Sequence, residues 1–312
     1  MAAAREHIID PTIIHHEWDL DLEPALAINS GDVVHYDLKV AGEGQVWSGA
    51  TYAECKFDFD TIYNLSGPLF VNGAQAGDTL EIEILDLKPG DWGWAAFLPG
   101  LGLLPEDFPD GYVRTFDLTE GRTTTLVPGV EIPVSPFLGV LGNHPGEPAR
   151  QLPFPPHHGG GNMDNRHLTT GVTLWLPVLA DGALFSCGDP HAAQGDGEVC
   201  VTAVECPMQT SLRFTLHKRR SEAPSFRVPP AAVSQKDSAG YHATMGIDSD
   251  LMTGAKKATR AMINWLVAEH GLTREDAYIL CSAAGDLKIF EIVDSGVWNV
   301  GMTLPLSIFQ TR

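Results

Sequence analysis

Cations are scarce in this chain of 312 residues: Lys and Arg together number 20 against 40 Asp and Glu, for a formal net charge of -20. A nucleic-acid partner needs a basic footprint against its phosphates, so no such partner is expected. The one compact basic run, His217-Lys218-Arg219-Arg220, follows a strand-like segment and reads as a solvated strand end. No apolar run approaches the roughly 20 residues that cross a bilayer. The first ten residues, Met1 to Asp10, hold no sustained apolar core, so neither a membrane span nor a secretory leader is expected. The five cysteines (Cys55, Cys187, Cys200, Cys206 and Cys281) are odd in number and show no CxxC spacing. That pattern fits reduced thiols in a cytoplasmic protein better than a disulfide framework. The chain also has no GxGxxG fingerprint in a strand-to-helix setting, no P-loop, no GxSxG elbow and no HExxH helix. Nucleotide-dependent and serine-hydrolase chemistry are therefore disfavoured.

Glycine and proline, by contrast, are plentiful, at 32 and 22 residues, and imply many tight connections between short strands. Apolar residues make up 44% and charged residues 19%, enough to close a substantial core in a globular chain. Val34, Tyr36 and Leu38 alternate with His35, Asp37 and Lys39, which places a strand with one apolar face. Thr79 to Asp86 alternates in the same way, with Leu80, Ile82 and Ile84 inward and Glu81 and Glu83 outward. Residues 89 to 161, rich in aromatics, Gly and Pro, read as short strands and long loops. Strands are expected again at Val172 to Val178, Ala183 to Cys187, Val199 to Cys206 and Ser211 to His217.

The clearest helix comes late. Leu251, Ala255, Ala258, Met262, Trp265 and Leu266 recur at helical spacing between Asp250 and His270, with Gly271 placed to end it. Thr273-Arg-Glu-Asp276 resembles a capping box and opens a second helix towards Ala284. Leu287 to Val293 and Val297 to Leu304 read as closing strands. The expected class is α+β, mostly β. It is read as a single domain over residues 1–312, β-rich in 1–151, then β-rich and catalytic with a helical C-terminal segment in 152–312. The connector Leu152 to Gly161 is the best internal boundary.

Reactive side chains concentrate between Cys187 and Glu198. Asp189, His191, Asp196 and Glu198 lie within ten residues, all able to bind a metal or move a proton, on what reads as a Gly-rich loop held between two strands. A second group, Gly159-Gly-Gly-Asn-Met-Asp164, sets Asn162 and Asp164 beside three glycines. It is either an array of exposed backbone N–H groups next to a ligand or a turn whose Asn and Asp bond local backbone. The pairs His35/Asp37 and His16/Asp19 have metal-ligand spacing but are also ordinary polar strand faces. Cys187 alternates with Phe185 and reads as packing.

In order along the chain, Gly77 to Asp86, Gly93-Trp94 through Pro99-Gly100, Gly160-Gly-Asn-Met-Asp164, Gly182 to Asp189 with His191 to Glu198, Met245-Gly246, Tyr278 to Asp286 and Pro305 to Phe309 resemble the acetamidase/formamidase family. The resemblance implies hydrolysis of a short aliphatic amide to carboxylate and ammonia, a β/β/α architecture and an oligomer, commonly a homodimer. It also implies a divalent metal near the acidic motifs. The pair His157-His158 departs from the more basic stretch expected before the glycines.

Amide hydrolysis needs an activated water, stabilisation of the tetrahedral oxygen and a proton for the departing amine. The expected assignment gives Asp164, Asp189 and His191 to a divalent metal ion, zinc first and calcium second. Glu198 is the general base and then the acid. Asp196 is a further ligand or orients His191, and Asn162 with the N–H groups of Gly160 and Gly161 stabilises the oxyanion. Two other readings remain open: a metal-dependent hydrolase of another small C–N substrate, and a non-catalytic metal- or amide-binding module.

Overall fold

Alternating burial builds the first layer. In the strand Thr79–Pro89, Leu80, Ile82 and Ile84 are buried while Glu81 and Glu83 lie on the opposite face. Val34, Tyr36 and Leu38 of Val33–Leu38 face the same way. The computed structural model describes residues 5–102, 109–127, 130–194, 198, 200–230, 240–272, 286–294, 296–306 and 309.

Nine strands form the first sheet, in the spatial order Glu6–Ile8, Val33–Leu38, Met208–His217, Thr79–Pro89, Thr173–Pro177, Ser225–Val228, Tyr241–Asp248, Trp298–Pro305 and Asp286–Glu291. The second sheet runs Gly160–Asn162, Phe137–Gly142, Phe185–Ala193, Val204–Glu205, Trp92–Phe97 and Tyr112–Asp117. Leu65–Val71 joins it against Phe185–Ala193 and carries Ile14–His15 and Leu26–Ile28. Strands from either side of the connector 152–161 therefore share both sheets. Inner faces meet in one large core, where Phe185 of the second sheet packs edge-on against Phe214 of the first at 5.0 Å. Each such buried ring contributes about 1.5–3 kcal/mol from desolvation.

The expected helix is present as Leu251–His270. Asp250 caps it by accepting from the Thr253 N–H, and Gly271 ends it in the left-handed conformation at φ 65°. Its apolar stripe of Ala258, Met262, Ile263 and Leu266 packs on the first sheet. Among the described residues no helix is long and apolar enough to cross a membrane. The mostly β, α+β class read from the sequence is the class observed. The second helix expected from Thr273 lies outside the described residues.

Three local expectations are corrected. The segment after Cys187 is not a loop: Phe185–Ala193 is one continuous strand, buried along its whole length. It sits between Phe137–Gly142 on one side and Leu65–Val71 with Val204–Glu205 on the other. Burial on both faces removes the polar alternation by which a strand is recognised, so its Gly, Asp, Pro and His resemble a turn. Correspondingly, the strand expected at Val199 to Cys206 is limited to Val204–Glu205 among the described residues. Gly160–Asn162 is likewise a short buried strand against Phe137–Gly142. The N–H of Gly160 donates to the His157 carbonyl at 3.0 Å, and a Cβ on Gly161 would come within 2.8 Å of the His157 ring. These glycines serve close packing rather than an exposed N–H array.

Candidate active site

Four neighbouring strands of the second sheet bring the acidic groups to one place. Asp189 and His191 lie on the central strand, and Glu205 stands opposite His191 on Val204–Glu205. Asp164 follows the short strand Gly160–Asn162 on the other side. Between Asp164 and Asp189 runs Phe137–Gly142, whose Gly139 carbonyl accepts from the N–H groups of Met163 (3.0 Å) and Asp164 (3.3 Å). A Cβ at Gly139 would lie 2.5 Å from Asp164 Oδ1, 2.5 Å from Asp189 Oδ2 and 2.9 Å from His191 Cε1. Absence of that one atom is what lets the two carboxylates converge.

His191 is enclosed, with Phe137 edge-on at 4.9 Å. Its Nε2 is 3.2 Å from Asp189 Oδ2 and 3.0 Å from Glu205 Oε2. His191 Nδ1 and Asp164 Oδ1 are buried without a hydrogen-bond partner. Buried polar atoms are ordinarily paired. Ligand atoms of Asp164, Asp189 and His191 lie within 4.8 Å of one another, as do those of His191, Glu198 and Glu205. Converging, unpaired oxygen and nitrogen donors are the donor set of a divalent cation, and these buried groups are placed where they could hold one.

Electrostatics agree with that fit. Burial, and then Asp189, push the Asp164 carboxyl well above the usual range. Burial followed by Asp164 does the same for Glu198. Glu205 rises to about 7, chiefly through burial. His191 is penalised by burial, but Glu205 and Asp189 outweigh this and hold its pKa well above an ordinary histidine's. From the C-terminal segment, Asp294 is raised by burial and by Glu291, and Glu291 by burial to about 7. So many carboxyl groups cannot all be ionised beside one imidazole unless a further positive charge joins them.

Strain marks the same residues. Asp164 (φ 43°), Asp189 (φ 54°) and Glu198 (φ 45°) all hold the left-handed conformation. Each costs roughly 1–3 kcal/mol and persists only where the surroundings enforce it.

Of the residues singled out from the sequence, Asp164, Asp189, His191 and Glu198 come together. Asp196 lies outside the described residues. Asn162 is adjacent, but its Nδ2 donates to Asp294 Oδ2 (2.6 Å), the Phe154 carbonyl (3.0 Å) and Tyr63 Oη (3.2 Å). The Phe154 carbonyl can only accept, which fixes that orientation of the amide. His35/Asp37 and His16/Asp19 form no such centre. His35 pairs with Ser211, His16 with the Tyr63 carbonyl, and Asp19 with Arg150. Cys187 is fully buried in the core, as its alternation with Phe185 implied.

Sequence reasoning missed Gly139, Glu205, Glu291, Asp294 and Tyr63. Glu205 had a signal, being a lone acid between Val204 and Cys206 in an apolar run. Gly139 and Tyr63 had none, since only tertiary contact gives them meaning. Tyr63 is packed edge-on against Phe154 at 5.0 Å, and burial, then the Asp189 charge, raise its phenol well above the ordinary value. It is therefore a neutral O–H donor at the edge of the acidic cluster.

Comparison with known proteins agrees with this geometry. A sequence model of the Acetamidase/Formamidase family matches residues 3–153 and 147–311. The chain is 27% identical over 247 residues to an acetamidase from Mycolicibacterium smegmatis, covering 59% of this chain and 61% of that protein. It thus spans about three fifths of the length of such curated relatives. Two crystal structures superpose on nearly all of it. An acetamidase from Bacillus halodurans does so with a TM-score of 0.86 at 31% identity, covering 97% of this chain and 98% of that one. A predicted acetamidase/formamidase from Thermoanaerobacter tengcongensis gives 0.88 at 26% identity, covering 98% and 97%. The acidic motifs, the sheet order that gathers them and the match along both halves have one common explanation: the chain belongs to the acetamidase/formamidase family.

Proposed function

We propose that the chain hydrolyses a short aliphatic amide, formamide or acetamide, to carboxylate and ammonia. The observation that carries this reading is the convergence of Asp164, Asp189 and His191 with Glu198 and Glu205 in one buried, polar cluster. In this reading Asp164, Asp189 and His191 hold a divalent cation, zinc first and calcium second, and Glu205 faces the same centre from beside His191. When bound, such an ion polarises a carbonyl and lowers the pKa of a water.

The chain's own residues supply the rest. Glu198 is buried with a raised pKa, so it can take a proton from the attacking water and still hold it until the amine departs. Oxyanion stabilisation passes from Asn162 to Tyr63. Both amide hydrogens of Asn162 are engaged by acceptors, whereas the Tyr63 phenol accepts from Asn162 and keeps its own hydrogen for the tetrahedral oxygen. Asn162 then positions Tyr63 and Asp294. Asp196 keeps its reading as a further ligand or as the group that orients His191. The rings of Tyr63, Phe154 and Phe59 supply an apolar wall suited to a short acyl chain.

The same reading takes the chain as one catalytic unit in a cytoplasmic homo-oligomer, a dimer first. Free thiols at Cys55, Cys187, Cys200 and Cys206 support a reducing compartment. Family membership supports the oligomer. Ammonia release from formamide, acetamide and a panel of longer amides by wild type and Glu198→Gln is the test. Turnover of the short amides that falls about 100-fold or more in the variant is expected. Unchanged turnover in Glu198→Gln removes Glu198 from the mechanism, and no release from any amide leaves the non-catalytic binding module.

A further inference from the structure

A cavity of ≈ 460 Å³ lies between the first sheet and the helix Leu251–His270, lined by none of the acidic cluster. Strand alternation separates the two places. Tyr241, Ala243 and Met245 point into the inter-sheet core, where Met245 Sδ accepts from Asn165 and Asn299 beside the active site. His242 and Thr244 point the other way, towards the helix, and line the cavity. Trp175 and Arg227 lie on the same outer face, since their neighbours Leu174, Leu176, Phe226 and Val228 are in the core.

The helix leaves room there. Ala261, Trp265 and Ala268 fall on one face at helical spacing, and two of the three are alanines where a packed helix would carry leucines. Volume of this order is that of a site for a drug-sized ligand.

The lining has a definite chemistry. Arg219, Arg220 and Arg227 line it, three arginines in a chain whose net charge is -20. Two carboxylates accompany them, each already engaged: Glu269 lies 3.4 Å from Arg219, and Glu222 accepts from Asn264 at 3.0 Å. Arg227 sits over the Trp175 ring at 5.6 Å, and Glu81 holds that indole by its N–H at 2.7 Å. The basic run at residues 217–220, which reads from sequence as a solvated strand end, therefore leads into a cavity.

His242 is the second, independent sign. Its ring stacks on Trp265 at 3.9 Å, it is 2% exposed, and both ring nitrogens lack a hydrogen-bond partner. Burial lowers its pKa to about 3, so the ring is neutral, and it holds the Trp265 indole in place at the cavity wall. Guanidinium groups suit a phosphate and indole rings a flat heterocycle.

We propose that this cavity is a second ligand site and that it binds a nucleoside monophosphate, with the base beside Trp175 and Trp265 and the phosphate on Arg219, Arg220 and Arg227. Inorganic phosphate lacks the ring and a nucleoside lacks the charge, so both bind more weakly.

Calorimetric titration of the full chain at low salt with AMP, GMP, CMP and UMP tests this, with adenosine and inorganic phosphate as control arms. Saturable binding of at least one nucleotide at one per chain is expected, about tenfold or more tighter than either control. Ala261→Leu fills the cavity from the helix side and Arg227→Gln removes an exposed guanidinium. Each is expected to weaken binding about tenfold while amide hydrolysis stays at the wild-type rate. Arg227→Gln keeps the test valid should Ala261→Leu fail to fold. The proposal is overturned if no nucleotide saturates, if inorganic phosphate binds as tightly as the nucleotides, or if both variants bind like wild type.

Discussion

Gly139 faces Asp189 across adjacent strands, and a Cβ on Gly139 would stand 2.5 Å from Asp189 Oδ2 and equally close to Asp164 Oδ1. Gly139→Ala is therefore expected to force the two carboxylates apart while leaving the surrounding strands paired. Cation content and amide turnover should both fall by about tenfold or more, as displaced coordinating groups do. Metal analysis of the purified variant beside its thermal unfolding midpoint checks this. Full cation content would show that the glycine is there for packing alone.

Tyr63→Phe removes one hydroxyl and little else. If the phenol donates to the tetrahedral oxygen, kcat should fall about 100- to 1,000-fold with KM and bound metal nearly unchanged. Steady-state kinetics on acetamide decide it, because a purely structural tyrosine would move stability and KM instead.

The chelated protein should show a particular pH dependence. Glu205 and Glu291 both have folded pKa values near 7, above the unfolded value of about 4.5. A raised carboxyl pKa stabilises the fold below the unfolded value, and that contribution is lost as pH rises through the folded one. His191, also raised, acts in the same sense. The cation-free protein is thus expected to lose more stability than Glu205→Gln between about pH 5 and 8. Parallel unfolding curves across that range would contradict the assignment.

His242→Phe should stabilise the chain by about 1 kcal/mol, because it keeps the stack on Trp265 and removes two unpaired buried nitrogens. The gain should grow as pH falls from 7 to 5. A histidine held at about 3 in the fold contributes stability above its unfolded pKa and loses it below. Denaturant unfolding at the two pH values measures it.

Much of the outer architecture was legible because half-buried strands alternate. Leu80, Ile82 and Ile84, or Val34, Tyr36 and Leu38, announce a face by their period, as does the helix from Leu251 to its stop at Gly271. The centre was less legible for the opposite reason. Phe185–Ala193 is buried on both faces, so its period is lost and its Gly-Asp-Pro reads as a turn. Asp164, Asp189, His191 and Glu198 were visible as reactive types in glycine-rich sequence. Glu205 was a lone acid in an apolar run, whereas Asp294, Tyr63 and Gly139 gave no sign, because each acquires its role only through tertiary contact.

The central claim is that the cluster of Asp164, Asp189 and His191 holds a divalent cation on which amide hydrolysis depends. Ammonia release from formamide and acetamide should be followed by one preparation as isolated, after chelation, and after stoichiometric addition of zinc or calcium, with metal content measured at each stage. The account expects bound divalent metal in the active protein, loss of ammonia release on its removal and recovery on add-back. Full turnover by metal-free protein would contradict it.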